Sequence, residues 1–432
     1  MSSAYYMKSS LVIKMRDFEN DNGQMVFGGM HAYDIAEEFG TPVYVTDESI
    51  LRENYRNIYK AFSKYMDTRI HYACKANTSL AILRVLQQEG SGIDAVSIGE
   101  VLSCKKAGFA SDKILYTGVN VSNSELEALV REGVNINIDS ESELERLAKI
   151  STDVNVSVRI TPGVGSGHSD KVITGSKGSK FGIPIDRVIP VYARAQELGF
   201  KIKGIHAHIG SGGLTAEPFT DVAWVLAEKA NEIKDELNID LEFIDIGGGI
   251  NVPYKPNENE MDLNELAISV TDVIKEETDV KTIALEPGRY LICDSTILLT
   301  KCVDVKYTGV KNYIGVDAGF NTLIRPSFYD SYHHAAIVNK FNKACEYKFT
   351  VVGPICESGD FLAKDRALPT PDEGDVVAIY NAGAYGFSMA SNYNSREMCR
   401  EVLVNNGKAE LIREAENLED LWKYQMIPER LL

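Results

Sequence analysis

Lys75 is the residue whose place in the sequence most clearly suggests chemistry. It directly follows the β-rich run RIHYAC (residues 69–74), so its side chain begins where a buried strand would end. A lysine in such a place is costly unless it is paired or deprotonated. A desolvated lysine of lowered pKa forms a Schiff base with an aldehyde. The alternative is a lysine that reaches solvent or pairs with a carboxylate.

Three glycine-rich segments, each at the end of a later β-rich run, suggest a phosphate site. They are HIGSGG (208–213), IGGGI (246–250) and EPGR (286–289). Glycine lets backbone amides approach an anion closely, although tight turns require glycine as well. A lysine that reacts with aldehydes, combined with loops that bind phosphate, indicates pyridoxal 5'-phosphate (PLP), which carries both groups.

Other side chains at the ends of the runs are candidates for contact with this cofactor. Glu286 facing the pyridine nitrogen would keep it protonated and strengthen the ring as an electron sink, whereas the alternative is an ion pair with Arg289. His208 could lie flat against the ring, although a histidine at a strand end is more often a hydrogen-bonded core residue. Arg159, which ends the fifth run, and Pro287 complete this group.

The elements that must position these residues alternate between strands and helices. Eight short β-rich runs are separated by stretches with apolar residues at helical spacing and a glycine just past the end. This order predicts a parallel sheet, and eight units favour a closed (β/α)8 TIM-type barrel over an open doubly wound sheet. The runs cover residues 69–74, 92–97, 113–117, 135–138, 154–160, 202–208, 241–246 and 281–285.

After about residue 291 the alternation of strand-like and helix-like segments gives way to a series of strand-like segments. Runs such as TILLTKCVDVKYT and GDVVAIYNAGAY are strand-like and separated by turns, which predicts a second, mostly β domain. The first 45 residues do not belong to the alternating strand and helix segments of the barrel, and we expect them to pack with this second domain. The predicted division is therefore a barrel over 46–290 and a β-rich domain over 1–45 and 291–432.

Composition argues against several classes of function. The 432-residue chain has a formal net charge of −17, which does not suit a nucleic-acid surface or a polybasic membrane patch. No segment reaches the roughly 18 apolar residues of a membrane span, so no membrane association is predicted. Seven cysteines without a CxxC pair suggest a reducing cytoplasm. No His/Cys cluster has the spacing of a metal site, so no metal is expected.

A set of motifs over nearly the whole chain resembles the meso-diaminopimelate decarboxylase family, which belongs to the alanine-racemase-like, fold-type III PLP enzymes. The motifs are YACKAN at 72–77, TPGVGSGH at 161–168, SKFGIP at 179–184, HIGS at 208–211, IGGGI at 246–250, EPGR at 286–289, CESGD at 356–360 and GAYGF at 383–387. The resemblance implies a barrel with a β domain and a homodimer whose active sites are shared between subunits. It also implies removal of carbon dioxide from the D-centre of meso-2,6-diaminopimelate to give L-lysine, the last step of lysine biosynthesis.

The resemblance also implies roles for individual residues. Lys75 would be the Schiff-base lysine, His208 the ring-stacking residue, Glu286 the pyridine partner, and Cys356 the acid that reprotonates the product carbon, supplied with Glu357 by the neighbouring subunit. Contacts to the phosphate and the rest of the cofactor would come from Ser211, Gly248, Gly288, Arg289 and Tyr385. Contacts to the substrate would come from Arg289, Arg325, Tyr329, Glu357 and Tyr385.

The physical case agrees with these roles, because arginine binds a carboxylate bidentately. Arg289 and Arg325 fit the distal carboxylate of diaminopimelate, and Glu357 fits the distal ammonium. Glu357 would also raise the pKa of Cys356 and keep it a thiol, although a small buried core cysteine is the alternative.

The sequence departs from the family pattern at two places, and four other functions are not excluded by the sequence. Gly212 stands where the family usually has glutamine, and Glu397, Met398 and Cys399 follow NYNSR where an Arg-Pro-rich stretch is usual. The alternatives are a sister decarboxylase acting on ornithine, arginine or carboxynorspermidine, a racemase, a PLP-binding regulator without catalysis, and a Schiff-base aldolase without PLP.

Overall fold

Strands and helices alternate through the middle of the chain, and strands dominate its end. The computed structural model describes residues 15–163, 175, 178–210, 212 and 215–432. Its strands are β1 (Glu19–Asp21), β2 (Gln24–Phe27), β3 (Met30–His31), β4 (Val43–Asp47), β5 (Asp67–Ala73), β6 (Gly92–Ala95), β7 (Ile114–Tyr116), β8 (Asn135–Ile138), β9 (Asn155–Thr161), β10 (Ile183–Pro184), β11 (Lys201–His206), β12 (Phe243–Asp245), β13 (Thr282–Leu285), β14 (Thr296–Tyr307), β15 (Asn312–Val316), β16 (Ala335–Ile337), β17 (Tyr347–Val352), β18 (Phe361–Leu368), β19 (Val376–Ile379), β20 (Arg400–Asn405) and β21 (Lys408–Arg413).

The helices cover the outside of the barrel and the loops of the second sheet. They are α1 (Ala32–Phe39), α2 (Glu48–Ser63), α3 (Leu80–Gln88), α4 (Ile98–Lys106), α5 (Asn123–Glu132), α6 (Glu141–Ala148), α7 (Val188–Leu198), α8 (Glu217–Leu237), α9 (Leu263–Glu277), α10 (Arg289–Ile292) and α11 (Arg325–Tyr329). Among the described residues, no helix is both long and apolar enough to cross a membrane.

Eight parallel strands form a closed barrel, as the sequence predicted. They pair in the order β9–β11–β12–β13–β5–β6–β7–β8, and a pairing between β8 and β9 closes the cylinder. Each of the eight predicted runs overlaps one of these strands. The two-residue strand β10 adds to β9 outside the closed ring. The open doubly wound sheet is therefore excluded.

Local sequence signals explain where the barrel helices begin and end. The hydroxyls of Ser97, Ser122 and Ser140 each accept a hydrogen bond from a backbone amide in the first turn of α4, α5 and α6. Gly133 and Gly199 end α5 and α7 in the left-handed conformation, which costs glycine no side-chain clash. These signals fix the short connections that bring the carboxyl ends of all barrel strands to one face.

The second sheet is mostly antiparallel and includes a strand from the start of the chain. Its order is β18–β17–β15–β14–β4–β20–β21, with β19 pairing to both β14 and β16. Strand β4 lies between β14 and β20, so residues near position 45 and residues beyond 291 share one sheet.

Backbone contacts attach the second sheet to the mouth of the barrel. The Tyr385 amide donates to the Ala76 carbonyl at 2.8 Å, and the Asn381 side chain donates to the Pro253 carbonyl at 2.9 Å. The Ser388 hydroxyl also donates to the Ala76 carbonyl, at 3.1 Å. The segment that follows β19 is therefore fixed next to Lys75.

Candidate active site

Lys75 lies at the carboxyl end of β5, in a single 3-10 turn over Cys74–Ala76. Its Nζ is 3.0 Å from Oδ2 of Asp94, near the end of the neighbouring strand β6. The Lys75 side chain is 42% exposed, whereas that of Asp94 is 1% exposed. The amine thus stands in the open mouth of the barrel, above a buried carboxylate.

The surroundings of Lys75 raise its pKa. Burial acts to lower it, but the charges of Asp94, Tyr385 and Glu286 outweigh that effect. The prediction of a lysine with lowered pKa is therefore wrong, and the alternative of a lysine paired with a carboxylate is what the structure shows. Asp94 itself has its pKa raised to about 6, because burial and the nearby charge of Glu286 disfavour a second anion.

Glu286 follows β13 and belongs to a row of buried polar side chains. Its Oε2 is 3.1 Å from Nε2 of His206, and Nδ1 of His206 is 2.7 Å from the Asn137 amide nitrogen. The Ser157 hydroxyl donates to Oδ1 of Asn137 at 2.8 Å. In the described part of the chain, the side chain that hydrogen-bonds to Glu286 is thus His206, not Arg289 as the alternative interpretation held.

Three buried carboxylates at the ends of neighbouring barrel strands lie close enough for their charges to affect one another. Oε1 of Glu286, Oδ1 of Asp94 and Oδ2 of Asp245 are each buried without a hydrogen-bond partner among the described residues. Burial and the charge of Glu286 raise the pKa of Asp245 well above its ordinary value. Unsatisfied buried oxygens of this kind call for an explanation, such as a ligand that binds there.

The same region brings together three groups of the kind that bind metals. Atoms of His206, Asp245 and Glu286 lie within 4.8 Å of one another. However, Nδ1 of His206 faces the Asn137 amide, so Nε2 has to carry the proton that it shares with Glu286. A protonated ring nitrogen cannot ligate a metal ion, so hydrogen bonding accounts for this cluster.

His208 and the glycine-rich loops form the adjoining wall of the site. The Gly248 amide donates to Nδ1 of His208 at 3.1 Å and orients the ring. Burial and the nearby charges of Arg159 and Lys75 lower the pKa of His208 to about 3, so the ring is neutral. A Cβ atom on Gly248 would lie 2.3 Å from the Glu286 carbonyl oxygen, which explains why glycine is required there.

Arg289 and Arg325 lie in an aromatic enclosure on the opposite side of the mouth. Both are buried, and the Cζ atoms of Arg289 and Arg325 lie 5.8 and 5.9 Å from the centre of the Tyr254 ring. The corresponding distances to the Tyr385 ring are 5.2 and 5.8 Å. The Tyr329 ring is 5.6 Å from Arg325. Cation–π contacts of this type stabilise desolvated guanidinium groups.

Hydrogen bonds leave part of this enclosure available to a ligand. Arg289 donates to the Tyr254 hydroxyl at 2.6 Å, and Arg325 donates to the Ser331 hydroxyl at 3.2 Å. Nε of Arg325 is buried without a hydrogen-bond partner in the described ranges. A cavity of about 300 Å³ borders both arginines, and Gly212 is part of its lining.

Tyr385 links the segment around Lys75 to the two arginines, and it does so in a strained backbone conformation. Its φ of 57° is in the left-handed region, which a tyrosine rarely adopts. The hydrogen bond from its backbone amide to the Ala76 carbonyl holds Tyr385 in this conformation, while its ring contacts both arginines. Strain of this kind concentrates at functional sites, where the surrounding structure enforces it.

Cys356 and Glu357 lie in the exposed loop between β17 and β18. The loop is held by Asp360, which accepts hydrogen bonds from the Phe320 amide and the Ile355 amide at 2.7 Å each. Glu357 accepts a hydrogen bond from the Tyr393 hydroxyl. Within the described residues, no hydrogen bond or ion pair links Cys356 or Glu357 to Lys75 or to the arginines, although Gly359 of the same loop accepts a hydrogen bond from the Ser327 hydroxyl of α11 at 2.6 Å.

The remaining predicted residues occupy varied positions. Ser211 lies outside the described residues, as do residues 164–168 of TPGVGSGH. Arg159 lies within β9, is buried, and places its guanidinium 4.4 Å from the centre of the Phe181 ring. Pro287 and Gly288 are buried at the barrel mouth, and a Cβ on Gly288 would lie 3.1 Å from that of Ala73.

Sequence reasoning gave no role to several residues that build the site. Most of them lie within or at the ends of barrel strands: Asp94, Asn137, Ser157, His206 and Asp245. A signal was present, because polar residues inside strands that are otherwise apolar must find partners. Tyr254 lies in an irregular segment after the glycine loop and gave no comparable signal.

Comparisons with known proteins agree with this geometry. Residues 49–293 match the family model described as "Pyridoxal-dependent decarboxylase, pyridoxal binding domain". A diaminopimelate decarboxylase of Methanothermobacter thermautotrophicus is 47% identical over 420 residues, which are 96% of this chain and 98% of that protein. One from Archaeoglobus fulgidus is 40% identical over 96% of this chain and 100% of its own length.

Solved structures are similar over nearly the full length. The crystal structure of diaminopimelate decarboxylase from M. jannaschii in co-complex with L-lysine has a TM-score of 0.90 at 32% identity and covers 97% of this chain and 99% of its own. The Helicobacter pylori enzyme complexed with L-lysine has a TM-score of 0.85 at 34% identity, with 92% and 99% covered. A lysine/ornithine decarboxylase from Vibrio vulnificus has a TM-score of 0.76 at 22% identity over 86% of this chain and 97% of its own, and this likeness concerns the fold alone.

Proposed function

Because this chain belongs to the diaminopimelate decarboxylase family of pyridoxal-dependent decarboxylases, we propose that it removes carbon dioxide from meso-2,6-diaminopimelate and releases L-lysine. This reaction is the last step of lysine biosynthesis. The observation that carries the choice of substrate is the pair of buried guanidinium groups, Arg289 and Arg325, which border one cavity and both contact the ring of Tyr385.

The residues around Lys75 fit PLP, the cofactor of this family. Oε1 of Glu286 is buried and has no hydrogen-bond partner in the described part of the chain, as a group that accepts the pyridinium N–H should be. Gly248 leaves the space that a side chain would fill between His208 and Glu286. When bound, PLP withdraws electrons from the bond to the departing carboxylate.

Several residues would hold the cofactor. The Lys75 amine would bind its aldehyde, after giving up the proton that Asp94 now stabilises. The neutral ring of His208 would cover one face. Ser211 and the backbone of the glycine-rich loops, including Gly248 and Gly288, would contact the phosphate. Arg159 and Pro287 belong to the same proposed surroundings.

Substrate selection follows from the desolvated arginines. Arg325 presents a buried Nε that lacks a partner in the described ranges, and a distal carboxylate would satisfy it. An amino acid without that carboxylate would leave the guanidinium group buried and unsatisfied, which costs on the order of 1.5–3 kcal/mol for a bond to a charged group. Tyr329 and Tyr385 would complete the walls through their ring contacts to Arg325. Ornithine, which ends in an ammonium group, does not fit this enclosure.

The exposed loop carrying Cys356 and Glu357 supports a homodimer with shared active sites. Neither residue forms a hydrogen bond or ion pair with Lys75, Arg289 or Arg325 of its own chain within the described ranges, yet both belong to a motif of the family. In the proposal, Cys356 of one subunit supplies the proton that replaces carbon dioxide on the substrate carbon of the other. Glu357, held by Tyr393, would bind the distal ammonium group.

Two further parts of the proposal concern organisation and location. We place the barrel at residues 46–290 and the β domain at 1–45 with 291–432, which is supported by the entry of β4 into the second sheet.

A cytoplasmic location is supported by seven cysteines that form no disulfide.

The test is to incubate the full chain with PLP and then with meso-diaminopimelate, and to measure carbon dioxide and the chirality of the amino acid released. We expect equimolar carbon dioxide and L-lysine, and poor turnover of L-ornithine under the same conditions. Equal turnover of both substrates would contradict the assignment, and racemised substrate without carbon dioxide would indicate a racemase.

A further inference from the structure

Four buried side chains form one unbroken row of hydrogen bonds across the inside of the barrel. Ser157 lies in β9, Asn137 in β8, His206 at the end of β11, and Glu286 just after β13. Their exposures are 2%, 0%, 0% and 6%, so water does not compete for these bonds. The row ends at the Glu286 carboxylate, whose second oxygen faces the space proposed for the cofactor ring.

The direction of each bond fixes the tautomer of His206. The Ser157 hydroxyl donates to Oδ1 of Asn137, which leaves the NH2 group of that amide to face His206. Nδ1 of His206 must then accept, and the proton of the neutral ring is on Nε2. Nε2 lies 3.1 Å from Oε2 of Glu286 and therefore donates to it.

We propose that His206, held in this tautomer by Asn137 and Ser157, is a positioning residue that keeps Glu286 ionised and its Oε1 directed at the ring nitrogen of the cofactor. The inference rests on the proposed function only in its use of PLP, not in the choice of amino-acid substrate. Asn137 and Ser157 act through His206 and touch neither cofactor nor substrate.

Asp245 shows what burial does to a neighbouring carboxylate that lacks a side-chain donor of this kind. Burial and the charge of Glu286 raise the pKa of Asp245, which does not hydrogen-bond to a histidine among the described residues. Burial acts in the same direction on Glu286, but the contact with His206 and the charge of Lys75 lower its pKa below the usual range. A weakly basic carboxylate leaves the shared proton on the ring nitrogen, which is where an electron sink requires it.

The experiment compares two substitutions of nearly equal shape, His206→Gln and His206→Met. Glutamine can donate an N–H to Glu286, whereas methionine cannot. Full-length variants are titrated with PLP labelled with ¹⁵N at the ring nitrogen, and both the dissociation constant and the ¹⁵N chemical shift are measured. His334→Met serves as the control, because His334 is a histidine outside the barrel strands whose ring packs against Tyr380, with ring centres 5.1 Å apart.

We expect His206→Met to weaken PLP binding by about 10-fold or more and to move the ¹⁵N shift toward that of an unprotonated ring. His206→Gln should keep the protonated shift, and His334→Met should match the wild type. A wild-type shift in His206→Met, or equal changes in both His206 variants, would overturn the inference, since a purely structural role does not depend on the N–H donor.

A milder substitution keeps the test decisive if His206→Met does not fold. Ser157→Ala removes only the hydroxyl that orients Asn137, and Ser157→Thr restores it. We expect a partial ¹⁵N shift change in the alanine variant and recovery in the threonine variant, whereas no change in the alanine variant would count against the row.

Wild-type protein that binds PLP but releases no carbon dioxide from diaminopimelate would refute the proposed substrate and leave this measurement intact. Failure of the wild type to bind PLP would overturn both.

Discussion

The amine of Lys75 and the carboxylate of Asp94 form an ion pair across two neighbouring barrel strands, with Nζ 3.0 Å from Oδ2. The buried carboxylate raises the pKa of the amine, although burial itself acts to lower it. An amine must lose its proton before it attacks an aldehyde. Asp94 therefore sets the pH at which Lys75 can take up a cofactor.

Replacing Asp94 with asparagine should shift PLP capture to lower pH. The substitution removes a charge that raises the pKa of Lys75, so a larger fraction of the amine is unprotonated at any given pH. We expect the midpoint of capture to fall by about one pH unit or more, as for loss of a partner charge within hydrogen-bonding distance. The measurement is the initial rate of borohydride-fixed cofactor incorporation as a function of pH. Asp153→Asn, which removes an exposed partner of Lys201, is the control and should leave the midpoint unchanged.

Lys75→Ala should abolish turnover and covalent retention of PLP while the fold stays intact. Without the amine no covalent bond to the aldehyde can form, and the buried Asp94, whose pKa is already about 6, can take up a proton instead of remaining an unpaired charge. Mass spectrometry after borohydride treatment detects retained cofactor, and circular dichroism reports the fold. Cofactor fixed to the alanine variant at a single other lysine would show that Lys75 is not the attachment point.

Arg325→Met should raise KM for meso-diaminopimelate with little effect on PLP binding. The guanidinium group lies in a cage of Tyr254, Tyr329 and Tyr385, and its Nε has no hydrogen-bond partner in the described part of the chain. We expect loss of a hydrogen bond to a charged carboxylate to lower kcat/KM by about 10- to 100-fold. Steady-state kinetics check the expectation, with the PLP dissociation constant as the internal control. Unchanged kcat/KM would exclude Arg325 from substrate recognition.

The sequence predicted those parts of the site that lie at the ends of strands. Lys75, His208 and Glu286 each follow a β-rich run, and a closed barrel brings such ends together. Asn137, Ser157 and Asp94 lie within strands, where the pattern does not reveal which alternate side chains face the interior of a barrel. The pairing of Lys75 with Asp94 depends on strand register, and so the direction of its pKa shift was predicted wrongly. The left-handed backbone of Tyr385 depends on its contact with Ala76, which is distant in sequence.

Mixed dimers test whether the active sites are shared. Cys356→Ala should slow product formation without loss of cofactor, because the thiol lies in an exposed loop and forms no hydrogen bond with Lys75 or Glu286 of its own chain among the described residues. If Cys356 acts on the neighbouring subunit, mixing Lys75→Ala with Cys356→Ala protein creates dimers in which one of the two sites is complete. Random exchange then restores about a quarter of wild-type activity. No recovery in mixtures that are shown to contain mixed dimers would place Cys356 and Lys75 in the same subunit's site, and normal turnover by Cys356→Ala alone would exclude the proton-donor role.

Gly248→Ala should weaken both folding and cofactor binding, since the added methyl group has no room. Its Cβ would lie 2.3 Å from the Glu286 carbonyl oxygen and 3.6 Å from Cε1 of His208, so the glycine loop must move away from both. Overpacking of this type costs on the order of 1–3 kcal/mol, and the displaced amide would no longer orient His208. Denaturant unfolding of the apo protein and a PLP titration separate the two effects. Gly99→Ala is the matched control, because its Cβ would come no closer than 3.7 Å to the Ser97 hydroxyl and helix α4 gains a better helix former. A Gly248→Ala protein as stable as Gly99→Ala, with unchanged PLP affinity, would show that the loop adapts freely and does not define the cofactor site.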